Sequence, residues 1–332
     1  MSQELLDPIA LARLGALPLR AKLIVEGALT GLHRAAMRGS SVEFAEHKEY
    51  RFGDELRHVD WKAYAKLDRY YVKQFEQESQ LTVYLVLDTS ASMDFAGGGL
   101  RKLDYAAMAL AAVAHLAVAQ QDKVGLVASG DRSVEVVVPA RARTTHQGDL
   151  LSVIEGLLAR GGRGDESPAA ALRKVAELCR RRRALVIVAS DLFDADSEVT
   201  EALTDLRAQR HDVSVLHVLD PHEQTFPYQG LTQFESLESG QRMLTNPTAI
   251  REQYLARMKE FLERSRRELT HAGVDYHLLS TERPVESAVL ELLIARSQLV
   301  PRGGGRGGRS AGGVGPRVTA PAGSPGGARR PR

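Results

Sequence analysis

Four short runs are apolar on both of the faces that a strand would present: LTVYLVLD from Leu81, KVGLVAS from Lys123, ALVIVAS from Ala184 and DVSVLHVL from Asp212. Strands without a polar face belong in a sheet that is covered on both sides. SVEVVV, from Ser133, alternates instead and reads as an edge strand. Helical periodicity fills the gaps, over Leu103 to Gln121, Gln147 to Leu158, Pro168 to Arg181 and Glu198 to Gln209. Strand and helix in alternation predict an α/β fold, a mostly parallel sheet with helices on both faces. Leu103 to Gln121 is alanine-rich and apolar nearly all round, which predicts burial against that sheet. Further on, LDPHEQTFPYQGLTQFESLESGQRML suggests a loop and a hairpin. A long helix from Pro247 to His271, a strand at VDYHLLS and a closing helix from Pro284 to Ser297 follow.

The flanks are different. Residues 3–37 read as helical with a break at Pro18, and the charged, aromatic stretch after them alternates well enough for a strand only between Arg69 and Phe75. Past Pro301 the chain is glycine, proline, arginine, alanine and serine without periodicity, which cannot bury enough surface to offset the entropy of ordering it. Its GxGxxG match at Gly303, Gly305 and Gly308 has no strand before it and no helix after it, so it is not a dinucleotide fingerprint. Three segments result: 1–80, helical and distinctive; 81–300, the α/β domain; and 301–332, a disordered tail.

Composition narrows the function classes. With 332 residues, 43% of them hydrophobic, the chain can build a real core. The formal charge of +2 is uneven. Seven arginines and no acid lie in residues 301–332, so the body before them is mildly acidic. Cys179 is the only cysteine and cannot form an internal disulfide. The first residues lack the basic and long apolar regions of a secretory signal. No uncharged apolar stretch approaches the roughly 20 residues of a membrane span. A soluble, cytoplasmic protein is expected. The absence of HExxH, CxxC, GxxxxGK[ST] and GxSxG removes the common zinc-hydrolase, P-loop and serine-hydrolase readings.

The chemistry-bearing residues are Asp88, Ser90 and Ser92 in VYLVLDTSASM. They follow a buried strand, where open α/β sheets place their ligands. A spacing of two along a turn can aim a carboxylate and two hydroxyls at one point, an oxygen set that suits magnesium or manganese. Aspartate and serine are also ordinary turn and cap residues. A second apolar run ends in a carboxylate, Asp191 of ALVIVASDLFDAD, which meets Asp88 if the two strands are neighbours. A haloacid-dehalogenase-like phosphatase also places an aspartate after its first strand, but it needs a second aspartate where this chain has Ser90. No enzyme activity is expected.

In these residues the chain resembles the von Willebrand factor A fold, whose metal-ion-dependent adhesion site uses DxSxS, a threonine from another loop and an aspartate after a later strand. Asp88, Ser90, Ser92 and Asp191 match four of the five positions. At the fifth, where the family often has Gly-Gly-Thr, this chain has GGRGDESPAAAL, and Ser167 or Glu166 would substitute. Upstream, EYRFGDELRHVDWKAYAKLDRYYVKQFEQE is similar to the signature of the bacterial family known as domain of unknown function 58, with Tyr50, Gly53, Asp54, Arg57, Asp60, Trp61 and Ala65 as the matching residues. VLDPHEQTFPYQG and GVDYHLLSTERPVESAVLELLIAR match too, so the likeness runs over roughly residues 39–297. It implies a non-enzymatic, metal-dependent protein-interaction module that works with a MoxR-type AAA+ ATPase in maturing or remodelling complexes. An acidic side chain of the partner would complete the coordination of a magnesium or manganese ion.

Other features have plainer readings. Tyr50 to Trp61 reads as a structural plug with Arg57 paired to a carboxylate, Arg180 to Arg183 as a solvated helix end, and Arg163-Gly164-Asp165 as a chance adhesion tripeptide. His217 and His222 flank Asp220 and read as core or loop residues, and Cys179 as a small buried hydrophobe. The arginine and glycine tail offers the alternative function, nucleic-acid binding by counterion release, although it lacks aromatics for base stacking.

Overall fold

The computed structural model describes residues 8–13, 16–36, 48–49, 71–72, 80–130, 134–164, 167–180, 182–193, 197–237 and 240–299. The Tyr50 to Trp61 plug and the tail lie outside them. In chain order the elements are α1 (Pro8–Arg13), α2 (Leu17–Ala36), β1 (Lys48–Glu49), β2 (Tyr71–Val72), β3 (Thr82–Asp88), α3 (Lys102–Ala119), β4 (Lys123–Ser129), β5 (Val136–Arg141), α4 (Thr144–Arg160), α5 (Ala169–Cys179), β6 (Leu185–Ser190), α6 (Ser197–Ala208), β7 (Asp212–Leu219), α7 (Pro221–Thr225), β8 (Thr232–Glu235), β9 (Arg242–Thr245), α8 (Pro247–His271), β10 (Asp275–Ser280) and α9 (Val285–Leu299). A 3-10 turn, Ala91–Asp94, follows β3.

Six strands form the central sheet in the order β10-β7-β6-β3-β4-β5. All pair in parallel except β5, which runs antiparallel to β4 at the edge. The architecture is therefore α/β and mostly parallel, with the alternating run placed at an edge as its pattern predicts. On β3, Val83, Leu85 and Leu87 face one core and Tyr84 and Val86 the other. This is why the strand carries no polar face. The first core takes α2, α3, α4 and α9, the second α5, α6 and the end of α8. α3 is long and apolar enough by composition alone to cross a membrane, yet most of it is buried inside the protein.

The break expected at Pro18 is present: α1 ends at Arg13 and α2 starts at Leu17, with Pro18 in its first turn, where its missing N–H has no intrahelical partner to lose. Leu11, Leu17, Ala21, Ile24 and Ala28 lie in the same core cluster as α3, and Leu17 N–H donates to Glu155 Oε1 at 2.7 Å. The N-terminal helices thus share the sheet's core instead of forming one of their own. Of the strand expected between Arg69 and Phe75 the described part is Tyr71–Val72, antiparallel to Lys48–Glu49. The hairpin expected after β7 is β8 paired with β9, preceded by the short helix α7.

Candidate functional site

β3 and β6 are parallel neighbours, with Leu87 opposite Ala189. Their carboxyl ends therefore place Asp88 beside Ser190, and Asp191 one residue further. Asp88 Oδ2 accepts a 2.6 Å bond from the Ser190 hydroxyl, and Oδ1 accepts from Ser90 N–H at 3.0 Å. That second bond closes the tight turn expected of an aspartate leaving a strand. The turn brings the Ser90 and Ser92 hydroxyls to 3.1 Å from each other. Asp88 is buried and faces Asp191, and burial first, then the Asp191 charge, push its carboxyl up to about 6, partly opposed by the serine hydrogen bonds.

The glycine loop after α4 docks on this turn. Ala91 N–H donates to Gly164 O at 2.9 Å and Arg163 N–H to Thr89 O at 2.8 Å. A Cβ on Gly162 would lie 2.3 Å from Ser90 O, so only glycine permits the approach. The fifth candidate, Ser167, is half-buried just beyond this loop. Among the described residues it makes no hydrogen bond to Asp88, Ser90, Ser92 or Asp191. Glu166 lies outside the described residues.

Asp191 has a partner that the sequence did not suggest. Lys102, the first residue of α3, is fully buried, and its Nζ donates to Asp191 Oδ2 at 2.7 Å and to Glu223 Oε1 at 2.6 Å. Burial alone would lower its pKa, but Asp191 and Glu223 more than reverse this and hold it above the ordinary lysine value, so it stays charged. Glu223 is raised, because burial outweighs the attraction of the ammonium. Glu223 Oε2 also accepts from Asp220 N–H at 2.8 Å, and Asp220 caps α7 through His222 N–H at 2.7 Å. Asp191 Oδ1 accepts from Phe193 N–H at 3.2 Å, across Leu192, whose φ of 56° is left-handed.

Lys102 also lies over the Phe193 ring, 4.8 Å from its centroid, and Phe193 stacks on Phe261. Phe261 meets His217 edge-on, and His217 Nδ1 bonds the Tyr276 hydroxyl at 2.7 Å. His217 is thus a core residue under the site, as its sequence context indicated, and burial pushes its pKa down to about 4.

A resident divalent ion fits this donor set poorly. All six oxygens of Asp88, Asp191 and Glu223 already accept protein hydrogen bonds. An ion held by Asp191 would have to share that carboxylate with the Lys102 ammonium, which repels it. Among the described residues, no group of three or more histidine, cysteine, aspartate or glutamate side chains is arranged to hold a metal.

The structure therefore brings together Asp88, Ser90, Ser92 and Asp191, while Ser167 makes no hydrogen bond to them among the described residues. It adds Lys102, Ser190 and Glu223. Of these, only Glu223 was signalled locally, by the three-residue capping-box spacing from Asp220.

Comparison with known proteins bears on this same stretch. The family model for "Protein of unknown function DUF58" matches residues 46–264, well over half of the chain. The chain belongs to the DUF58 family. This DUF58 protein is 33% identical over 240 residues to uncharacterized proteins of Mycobacterium bovis and Mycobacterium tuberculosis, covering 70% of this chain and 73% of theirs. Among solved structures it is similar to the conserved hypothetical protein BatB from Bacteroides thetaiotaomicron, at TM-score 0.43 and 17% identity over 66% of this chain and 99% of that one. It is similar also to the SpRpn10 VWA domain, at TM-score 0.37 and 9% identity over 64% of this chain and 94% of that one.

Proposed function

We propose that this DUF58 protein is a non-enzymatic protein-interaction module whose partner docks on the carboxyl end of the sheet. The observation that carries the reading is the character of that end. Lys102, Asp191 and Glu223 are committed to one another, and Asp88 to Ser190 and Ser90, while Ser92 is half-buried and Phe193 is open to solvent. The position two after Asp88 is Ser90 and not an acid, and among the described residues of the site no nucleophile is paired with a free base, so the arrangement favours binding over turnover. Phe193 is 38% exposed and is held from below by Phe261 and Lys102, which makes it a rigid aromatic anchor of the kind that dominates interfaces.

The partner class comes from the family resemblance: a MoxR-type AAA+ ATPase, which this module would help to mature or remodel protein complexes. The magnesium or manganese ion implied by the same resemblance is set aside on the fit of the donors described above.

The test is capture of a purified MoxR-type ATPase by the full chain, together with hydrolysis assays. Wild type should bind the ATPase and cleave neither a phosphate ester nor ATP. Phe193→Ala should weaken binding at least tenfold, mainly through faster dissociation, because a short-range anchor is lost. Turnover that Asp88→Asn abolishes, or full binding by a folded Phe193→Ala chain, would overturn the reading.

A further inference from the structure

Lys102 is the least expected residue of the site. A cation at the amino end of a helix opposes the helix macrodipole, and burying an ammonium is costly unless it is paired. Nevertheless Lys102 opens α3 with no exposed surface. What holds it there is a closed box. Asp191 from the end of β6 and Glu223 from α7 accept its protons at 2.7 and 2.6 Å, within the range of charge-assisted bonds. The rings of Phe193 and Phe95, 4.8 and 5.8 Å away, cover it further. The second oxygen of each carboxylate is fixed by a backbone N–H, of Phe193 and of Asp220, so both acids are oriented before the ammonium arrives. Three elements distant in sequence are joined through one nitrogen atom.

We propose that the ε-ammonium of Lys102 is the resident cation of this site, holding Asp191 and Glu223 in the position and charge role that a divalent ion would otherwise take, so that the strand-end face is assembled without metal. Asp88 stays outside this pairing, tied to Ser190 and Ser90, and the Ser90 and Ser92 hydroxyls lie within hydrogen-bond distance of each other. The inference concerns the charge built into the chain and not the identity of the partner. A purified sample with no partner present is enough to read it.

The experiment titrates magnesium and manganese into the purified full chain by calorimetry and follows the thermal midpoint with metal and with EDTA. The expected result is no saturable heat and one midpoint under all conditions, since a ligand that binds neither the folded nor the unfolded chain cannot shift it. Saturable binding that Ser90→Ala or Asp191→Asn abolishes would overturn the proposal, and this holds whether or not any lysine variant folds. Lys102→Gln adds a second reading. It should lower the midpoint by many degrees, and Asp191→Asn in the same chain should recover part of the loss by removing the carboxylate left unpaired. A Lys102→Gln chain as stable as wild type would equally overturn it.

Discussion

At the residue scale, two buried groups below the site titrate with opposite consequences. His217 is held near 4 in the folded protein against an ordinary 6.5. As pH falls through that window the unfolded chain takes up a proton that the folded one refuses, and stability is lost. Asp88 is held near 6 against an ordinary 3.8. As pH falls through its window the folded chain takes up the proton first, and stability is gained. The two offset each other in wild type between about pH 4 and 6. Single variants should separate them: His217→Gln leaves stability rising on acidification, whereas Asp88→Asn makes its loss steeper. Urea midpoints across a pH series would show this, and three superimposable profiles would refute the assignment.

Legibility also divides at this scale. Asp88 and Asp191 could be read from the sequence because each ends an all-apolar run, and a parallel sheet delivers the ends of such runs to one edge. Lys102 could not. A lysine beside a helix looks like solvated surface, and its partners stand 89 and 121 positions away. Ser190 was hidden for the same reason, since its bond to Asp88 exists only once β6 lies beside β3.

At the element scale, α2 lies before residue 81 and yet packs into the core of the sheet. Ile24 is fully buried in the cluster that includes α3 and α9. Ile24→Ala should cost about 2–5 kcal/mol of global stability. Leu19, on the same helix and 50% exposed, should change stability by no more than about 0.5 kcal/mol on the same replacement. Equal, small effects in denaturant melts would mean that α2 folds independently of the sheet. The β8–β9 hairpin is the contrasting case. Leu231, Met243 and Leu244 are 73%, 56% and 63% exposed, so replacing all three by threonine should leave the thermal midpoint unchanged. A lowered midpoint would show that they are covered in solution. The pattern foretold the hairpin through its turn-rich segment, but exposure was not legible, because an isolated leucine reads as core whichever way it points.

At the scale of the whole molecule, the sheet order follows from physics that the sequence states openly. Strands apolar on both faces went to the centre, the alternating one to the edge, and the helix that is apolar all round went under the sheet. Pro18 marked the start of α2, because a proline fits the first turn of a helix and not its interior. The site was half legible: its acids and hydroxyls follow from strand ends, while its internal cation comes from the meeting of α3, β6 and α7. Together these place a rigid, charge-paired platform beneath a small open face. The most direct measurement of that claim is the affinity of a MoxR-type ATPase for wild type and for Ser92→Lys, each measured with EDTA and with magnesium. Ser92→Lys should bind at least tenfold more weakly, because a long cation then projects into the docking face, and wild type should bind equally with and without chelator. Wild-type affinity in the folded Ser92→Lys chain, or binding that EDTA abolishes, would contradict it.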